Sequence, residues 1–409
     1  MNPNVSLNAP ERPAVLSKMA SQTLNLYFKS SSNPLPIGQL NIDDPGRESS
    51  VCYFVYNSDW LSYGYSLSRD LPLIPKVFKT DTNHPVFGFM YDLIPGIGAR
   101  KAAKFIYKKD LTNNQLFLLS QEVLRPGAIG FKDSAQAALQ YKEVGPCALD
   151  LERLMMGHLN ISNIDSLYRG LSALPGERFK LGYQSGKNKN LISKFNIPDP
   201  QRNLVIWEAI ALSLAKRMGL QTVSAELTSM RGMDTIISKR FDRTADGHPI
   251  GFASARALLA AHDDNHCYLE VADILNQDGA KPKMDLLELW RRMVFNMCVG
   301  NVHDCLDNIG FIRDGDGWRL APLYSLKPEP ISINRRHHAT AVTDDCDRPD
   351  LSKAVEIAPY FGISQRKAEA LALEISSFCA HNWEKVARDF QADPLEIDNM
   401  RKAFEQLDL

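Results

Sequence analysis

Nowhere in the 409 residues does an apolar run approach the ~18 residues of a membrane span. The polar start, Met1-Asn-Pro-Asn-Val-Ser-Leu-Asn-Ala-Pro10, has no charged-then-apolar secretion pattern. Cysteine is sparse and unorganised. Cys52, Cys147, Cys267, Cys298, Cys305, Cys346 and Cys379 are odd in number and never spaced as CxxC, which argues against a disulfide framework or zinc knuckle and leaves buried or idle thiols. There is no charge surplus either: Lys+Arg 47 against Asp+Glu 48 leaves a net charge of −1. Affinity for nucleic acid would therefore need a local patch or a partner protein. No internal repeat or low-complexity tract is present. The expectation is a soluble, cytoplasmic chain with no membrane association.

What is present is ordinary globular composition, 44% hydrophobic and 23% charged, enough for a sizeable core and, at roughly 150 residues per domain, two or three domains. Residues 1–20 lack periodicity and read as a loose arm. Short β-type runs follow at Thr23–Phe28 and Val51–Tyr56, and again at Leu116–Leu119 and Gly127–Phe131 around the turn signal Arg125-Pro126. Between them 86–109 reads as helical, interrupted at Ile94-Pro-Gly-Ile-Gly98. Residues 21–145 thus form a small mixed subdomain.

Residues 146–245 have another order. A strand candidate, Leu191–Phe195, precedes a helix over Leu204–Leu220, where Trp207, Ile210, Ala211, Leu214 and Met218 recur at helical spacing and Gly219 supplies the stop. Two β-type runs, 221–229 and 235–241, then flank Arg231-Gly-Met-Asp234 as a hairpin. Residues 246–409 read mainly as helix. Leu286, Leu289, Trp290, Met293, Val294 and Met297 make one apolar face of a helix ending at Gly300, and a hairpin signal follows at Asp314-Gly-Asp-Gly317. The class is α+β.

Between that helix and that hairpin lies a polar loop, Asn301-Val-His-Asp-Cys-Leu-Asp-Asn308. Phosphoryl transfer needs such a loop: a carboxylate that takes the hydroxyl proton, an Asn and an Asp that hold magnesium on the triphosphate, and a Lys on the phosphates. The chain resembles the HipA family of bacterial Ser/Thr kinase toxins, with matches in shared order at Leu93–Arg100, Arg125–Phe131, Pro175–Lys180, Ile192–Phe195, Lys239–Arg243, Arg292–Asn296 and Gly317–Pro322. The resemblance implies a small mixed N-terminal subdomain followed by a two-lobed protein-kinase-like fold with a mainly helical C-terminal lobe. It also implies ATP and magnesium as cofactors. The implied partner is a HipB-like helix-turn-helix antitoxin that carries the DNA contact; a homo-oligomer stays open.

The family's catalytic loop reads approximately N-T-D-D-H-x-K-N. Here His303 stands at the base position, beside Asp304, with Cys305 for the family His and Asp307 for the Lys; Asn308 keeps the metal-ligand place. Downstream the family's Tyr-Asp carboxylate is Tyr324-Ser325. A neutral His accepts protons, but a hydroxyl cannot replace an anionic magnesium ligand. The two losses point to a pseudokinase acting by binding. The rivals are an active Ser/Thr kinase toxin using Asp304 or His303 with Asn308, and a nucleotide sensor without transfer.

The resemblance places Lys194 on the nucleotide, with Glu208 as its candidate partner, and Gly176 in the phosphate-covering loop, where Ala173 holds the place of a serine autophosphorylated in some members. Lys239, Arg240, Asp242 and Arg243 read either as active-site charges or as a structural salt-bridge set. The stripe Arg100, Lys101, Lys104, Lys108 and Lys109 reads either as a contact for DNA or an acidic partner or, with more weight, as a solvated face, and Arg335-Arg-His-His338 as a solvated loop rather than a metal site.

Overall fold

The computed structural model describes residues 21–29, 34–97, 100, 103–104, 109–120, 125–133, 180–185, 188–196, 202–230 and 233–409. The expected arm at 1–20, Gly176, Ala173, Lys101, Lys108 and the boundary near 145 lie outside them.

The N-terminal part contains β1 (Gln22–Phe28), β2 (Leu35–Ile42), β3 (Cys52–Tyr56), α1 (Ser58–Tyr63), β4 (Val77–Lys79), α2 (Asn113–Leu119) and β5 (Ile129–Asp133). The strands form one antiparallel sheet in the order β4-β3-β2-β1-β5. Alternation puts Leu24 and Leu26 of β1, and Leu40 and Ile42 of β2, on one face, where Trp60, Phe87, Met90 and Phe117 complete a core of its own. Residues 116–119, expected as a strand, are the end of α2. Thr112 and Gln115 form a reciprocal cap that satisfies the first free amides and nucleates the turn.

Next come β6 (Lys180–Ser185), β7 (Asn188–Phe195), α3 (Leu204–Arg217), β8 (Ala225–Met230) and β9 (Met233–Lys239), with a four-stranded sheet ordered β6-β7-β9-β8. Helix α3 starts where Asn203 accepts from the amides of Val205 and Ile206, and ends with Gly219 in the left-handed region. The remainder holds β10 (Phe252–Ser254), α4 (Ala255–Leu259), α5 (Tyr268–Asp278), α6 (Pro282–Cys298), β11 (Gly310–Asp314), β12 (Gly317–Leu320), α7 (Leu351–Ile357), α8 (Gln365–Asp389) and α9 (Pro394–Met400). A continuous core joins α3 to α6 and α8. Among the described residues no helix is long and apolar enough to cross a membrane, and the six described cysteines are free, four of them buried.

The N-terminal part is bolted to the rest by charge. Asp242 accepts from the Gly127 amide at 2.8 Å and pairs with Arg240 at 2.7 Å and Arg243 at 2.8 Å. Both arginines also donate to the Arg125 carbonyl. Burial alone would raise the Asp242 carboxyl, but the two guanidiniums and the amide hold it down at about 2. Arg240, Asp242 and Arg243 thus form a buried salt-bridge set. A second seam runs through Asp92, whose Oδ2 accepts from the Ser254 amide at 2.7 Å, and through Tyr65, which meets Trp318 edge-on at 5.4 Å.

Two other expectations change. Arg336 is fully buried, donating to the carbonyls of Ile331, Met297 and Lys402, and His338 is buried against Asp304. Only Arg335 and His337 of that quartet face solvent, because the extended chain alternates its sides. In the basic stripe, Arg100 is spent on Asn113 and Pro95, and Lys104 pairs with Asp110.

Asp242→Ala strands two buried guanidiniums and should destabilise the protein by about 3–5 kcal/mol, with early proteolytic release of the N-terminal part; an unchanged urea midpoint would refute the role given to it. Asp92 gives a pH signature. Burial, resisted by the hydrogen bonds from Ser254, pushes its carboxyl up to about 7. The folded state thus binds this proton more tightly than the unfolded chain, so stability falls as pH rises from about 4 to 7 and levels off above. Asp92→Asn should remove that slope. Paired denaturation curves at pH 5 and 8 check it, and a pH-independent difference between the two proteins would count against it.

Candidate functional site

Strand β7 sits between β6 and β9, with Lys194 opposite Lys180 on one side and Ile236 on the other. Its ammonium is buried and meets Glu208, on the second turn of α3, at 2.6 Å. It also donates to Ser325 Oγ at 3.0 Å. Ser325 follows β12 on a segment whose Leu323 exchanges backbone hydrogen bonds with Gln221 and Val223, and whose Ala321 carbonyl accepts from Arg292. The Ser325 backbone is left-handed, with φ 57°, a conformation Asp and Asn take more readily than most residues. Lys194, Glu208 and Ser325 thus converge on one point between the sheet and the helical lobe.

The polar loop lies beside it. Gly300 turns the chain out of α6 with φ 63°, where a Cβ would press on the Ala403 carbonyl at 2.9 Å. Asn301 bonds Asn296 through its Nδ2 and takes the Lys327 amide on its Oδ1. Asn308 closes the loop by donating to the His303 carbonyl at 3.0 Å and to Cys305 Sγ at 3.3 Å. The Tyr324 hydroxyl donates to the Asp307 carbonyl at 3.0 Å, so the neighbours of Ser325 and Asn308 touch.

The charged residues of the loop are all engaged. His303, half-exposed, bonds Glu329 at 2.9 Å. Asp304 turns away into the helical core: its Oδ2 accepts from Tyr268 at 2.7 Å and contacts His338 at 3.2 Å, and its carbonyl accepts from Thr340. Burial keeps the Tyr268 phenol protonated, well above its ordinary range, so it remains a donor to Asp304. The Asp304 side chain is 3% exposed, and its Oδ1 is buried without a hydrogen-bond partner among the described residues. Asp307 pairs with Arg256 at 2.8 Å, and that charge holds the guanidinium well above its ordinary range despite its burial. Lys239 ends β9 with its side chain exposed, outside the Lys194–Ser325 cluster.

Sequence reasoning missed Glu329. Its carboxylate joins His303 of the loop, Arg202 before α3 at 2.7 Å and Lys327 at 3.3 Å. Burial opposes its charge, yet the His303 hydrogen bond and the two cations hold it down at about 2. Glu396 of α9 does similar work, accepting from the Asn203 amide at 2.9 Å and Trp207 Nε1 at 2.8 Å. Glu329 lies in an irregular stretch, Lys327-Pro-Glu-Pro330, and carries no local signal. Only its distance from Ser325 in sequence, four residues, marked Glu329 as a neighbour of the site.

Magnesium fits poorly here. The carboxylate that would bind it is a hydroxyl already taken by an ammonium, and the described residues hold no group of three or more His, Cys, Asp or Glu suited to a metal. A nucleotide fits better, since the lysine–glutamate pair that orients phosphates is intact.

The family model for the HipA-like C-terminal domain matches residues 172–383, just over half of the chain. The chain belongs to the HipA family. A putative kinase, Y4mE of Sinorhizobium fredii (strain NBRC 101917 / NGR234), is 29% identical over 130 residues, which are 29% of this chain and 31% of that protein. The match therefore spans about a third of that relative's length. HipA of Shewanella oneidensis MR-1, solved with HipB and its operator DNA, superposes with a TM-score of 0.66 at 16% identity, over 93% of this chain and 94% of that one. At that identity the likeness establishes the fold: a two-lobed kinase-like architecture, as the resemblance implied, here with a small mixed N-terminal part.

In this HipA-family chain, Glu329→Ala should cost about 3–5 kcal/mol, because Arg202 is left buried without its carboxylate. Hydrogen exchange at 203–207 should quicken. Since Glu329 is held below the ordinary carboxylate range, its contribution is complete above the ordinary carboxyl pKa and is lost as pH falls toward 2. Exchange at 203–207 as slow as in the parent protein would rule the bridge out.

Proposed function

We propose that this chain is a HipA-type pseudokinase that acts by binding a HipB-like helix-turn-helix protein and reaches DNA only through it. The observation that carries the first half is the Lys194–Ser325 hydrogen bond at 3.0 Å. Where phosphoryl transfer needs an anionic metal ligand, this cleft offers a neutral hydroxyl facing a cation. Transfer depends almost wholly on positioning and charge neutralisation, so the loss falls on the term that matters most. The base position adds to it, His303 being tied to Glu329, while Asp304 lies in the core.

The partner half is supported by the Shewanella oneidensis complex, which contains HipB and operator DNA and matches this chain over 93% of its length. A net charge of −1 agrees with DNA contact made by the partner. One observation favours a second reading, nucleotide binding without transfer: the buried Lys194–Glu208 pair is maintained, and both groups would be costly to keep buried for packing alone.

The test is labelled phosphate transfer, to itself and to a generic substrate, with magnesium. No transfer above background is expected from the unmodified protein, from Ser325→Asp or from His303→Asp; the double substitution alone should give measurable transfer. Robust magnesium-dependent autophosphorylation by the unmodified protein, abolished by Asn308→Ala, would replace the pseudokinase reading with that of an active kinase toxin. Failure to co-elute with a HipB-like protein would remove the partner half.

A further inference from the structure

We propose that His84 and His262 form a pH-sensitive clasp between the N-terminal part and the helical lobe, closed while at most one of the two rings carries a proton and opened when both do. The clasp lies outside the Lys194–Ser325 cleft and is independent of whether nucleotide binds there.

The two imidazoles are stacked across the seam, with centroids 4.0 Å apart and planes inclined by 28°. His84 ends a tight turn of the N-terminal part. There Asp81 Oδ1 accepts from the amides of Asn83 and His84, both at 2.8 Å, and Asp81 Oδ2 lies 3.3 Å from His84 Nδ1. His262 follows α4, and its Nδ1 meets the Tyr91 hydroxyl of the N-terminal part at 2.9 Å. Burial raises that phenol above its ordinary range, so it stays protonated. Its oxygen accepts as well as donates, so this bond outlasts protonation of the ring. The stack is what responds. Face to face at this separation, two imidazoliums repel.

The rings cannot relieve that repulsion by sliding. On the same seam Gly88 lies directly on α4, where a Cβ would come within 2.5 Å of the Ala257 carbonyl oxygen and 2.8 Å of Ala260 Cα. The Arg69 amide donates to the Leu258 carbonyl at 2.8 Å. Arg256 donates to the carbonyls on both sides of His262, Ala261 at 3.2 Å and Asp263 at 3.0 Å, and its own charge is matched by Asp264 and Asp307. Asp70, Asp81 and Asp263 lie within electrostatic reach of His262, and Asp81 balances a first proton on His84. The acids do not prevail at His262. Burial first, and the His84 charge second, hold that ring below the ordinary histidine range. The folded protein therefore resists the second proton more than the unfolded chain does. The clasp's contribution is complete above the ordinary histidine pKa and is lost as pH falls through it, opposite in sign to that of Asp92.

The test follows the imidazole protons of the full-length protein by NMR as pH is varied, with His84→Phe as the comparison. Phenylalanine keeps a stacked ring and its burial but removes the charge. His262 should then titrate higher in His84→Phe than in the unmodified protein, by about half a pH unit or more. Amide hydrogen exchange, corrected for its intrinsic dependence on pH, is compared at pH 5 and pH 8 around 88–91 and 257–262. The ratio of the two rates should be about fivefold larger in the unmodified protein than in His84→Phe, a comparison in which the Asp92 contribution cancels. Exchange at Gly127 should stay level, since Asp242 remains charged over this range. His84→Gln should give the same exchange result and serves if the phenylalanine variant misfolds. His262 titrating at one pH in both proteins, or an exchange ratio that His84→Phe and His84→Gln leave unchanged, would overturn the clasp.

Discussion

Everything in the cleft depends on α3 staying where it is. The Lys194–Glu208 pair is almost wholly withdrawn from water, and a buried ion pair is tolerable only if neither partner can drift. Helix α3 meets that demand by being gripped at both ends. At its start, Arg202 is held by Glu329, and the Asn203 amide and the Trp207 indole by Glu396. Just past its end, Glu288 takes the Gln221 amide and Arg291 caps the Met218 carbonyl. Between these grips ten of its residues are buried, Trp207 lying within 6.3 Å of both Trp383 and Phe404.

The departures in the polar loop look different once their partners are known. Each replaced or stranded side chain has been absorbed into the scaffold. Ser325 accepts a hydrogen bond from the Lys194 ammonium, Asp307 pairs with Arg256, and Asp304 anchors a buried network with Tyr268, His338 and Thr340. The loop keeps its shape through backbone and amide contacts, chiefly those of Asn301 and Asn308. The form of the loop is held there by uncharged groups.

Much of this was legible in one dimension. The 3.6-residue rhythm of α3 and α6, the Gly300 stop and the Asp-Gly-Asp-Gly turn are local signals, and local signals survive translation into coordinates. Leu116–Leu119 misled because four apolar residues in a row suit either strand or helix; the deciding contact was the Thr112 cap just ahead of them. Arg336 and His338 misled in the opposite sense, since polar residues in a loop sequence give no hint that carbonyls from α6 and from Lys402 will surround one of them. Glu329 and Glu396 were invisible for the same reason: their partners are set by the tertiary fold.

The bolt at Asp242 has a mechanical side. Arg240 grips the Arg125 carbonyl of the N-terminal part with its side chain, while its backbone amide donates to Asn190 of β7 at 2.8 Å. Four residues along that same strand stands Lys194, laddered to β9. One residue therefore transmits tension from the outer subdomain straight into the strand that bears the cleft's lysine, with no hinge between. Whatever takes hold of the N-terminal part also has a hand on the Lys194–Glu208 pair.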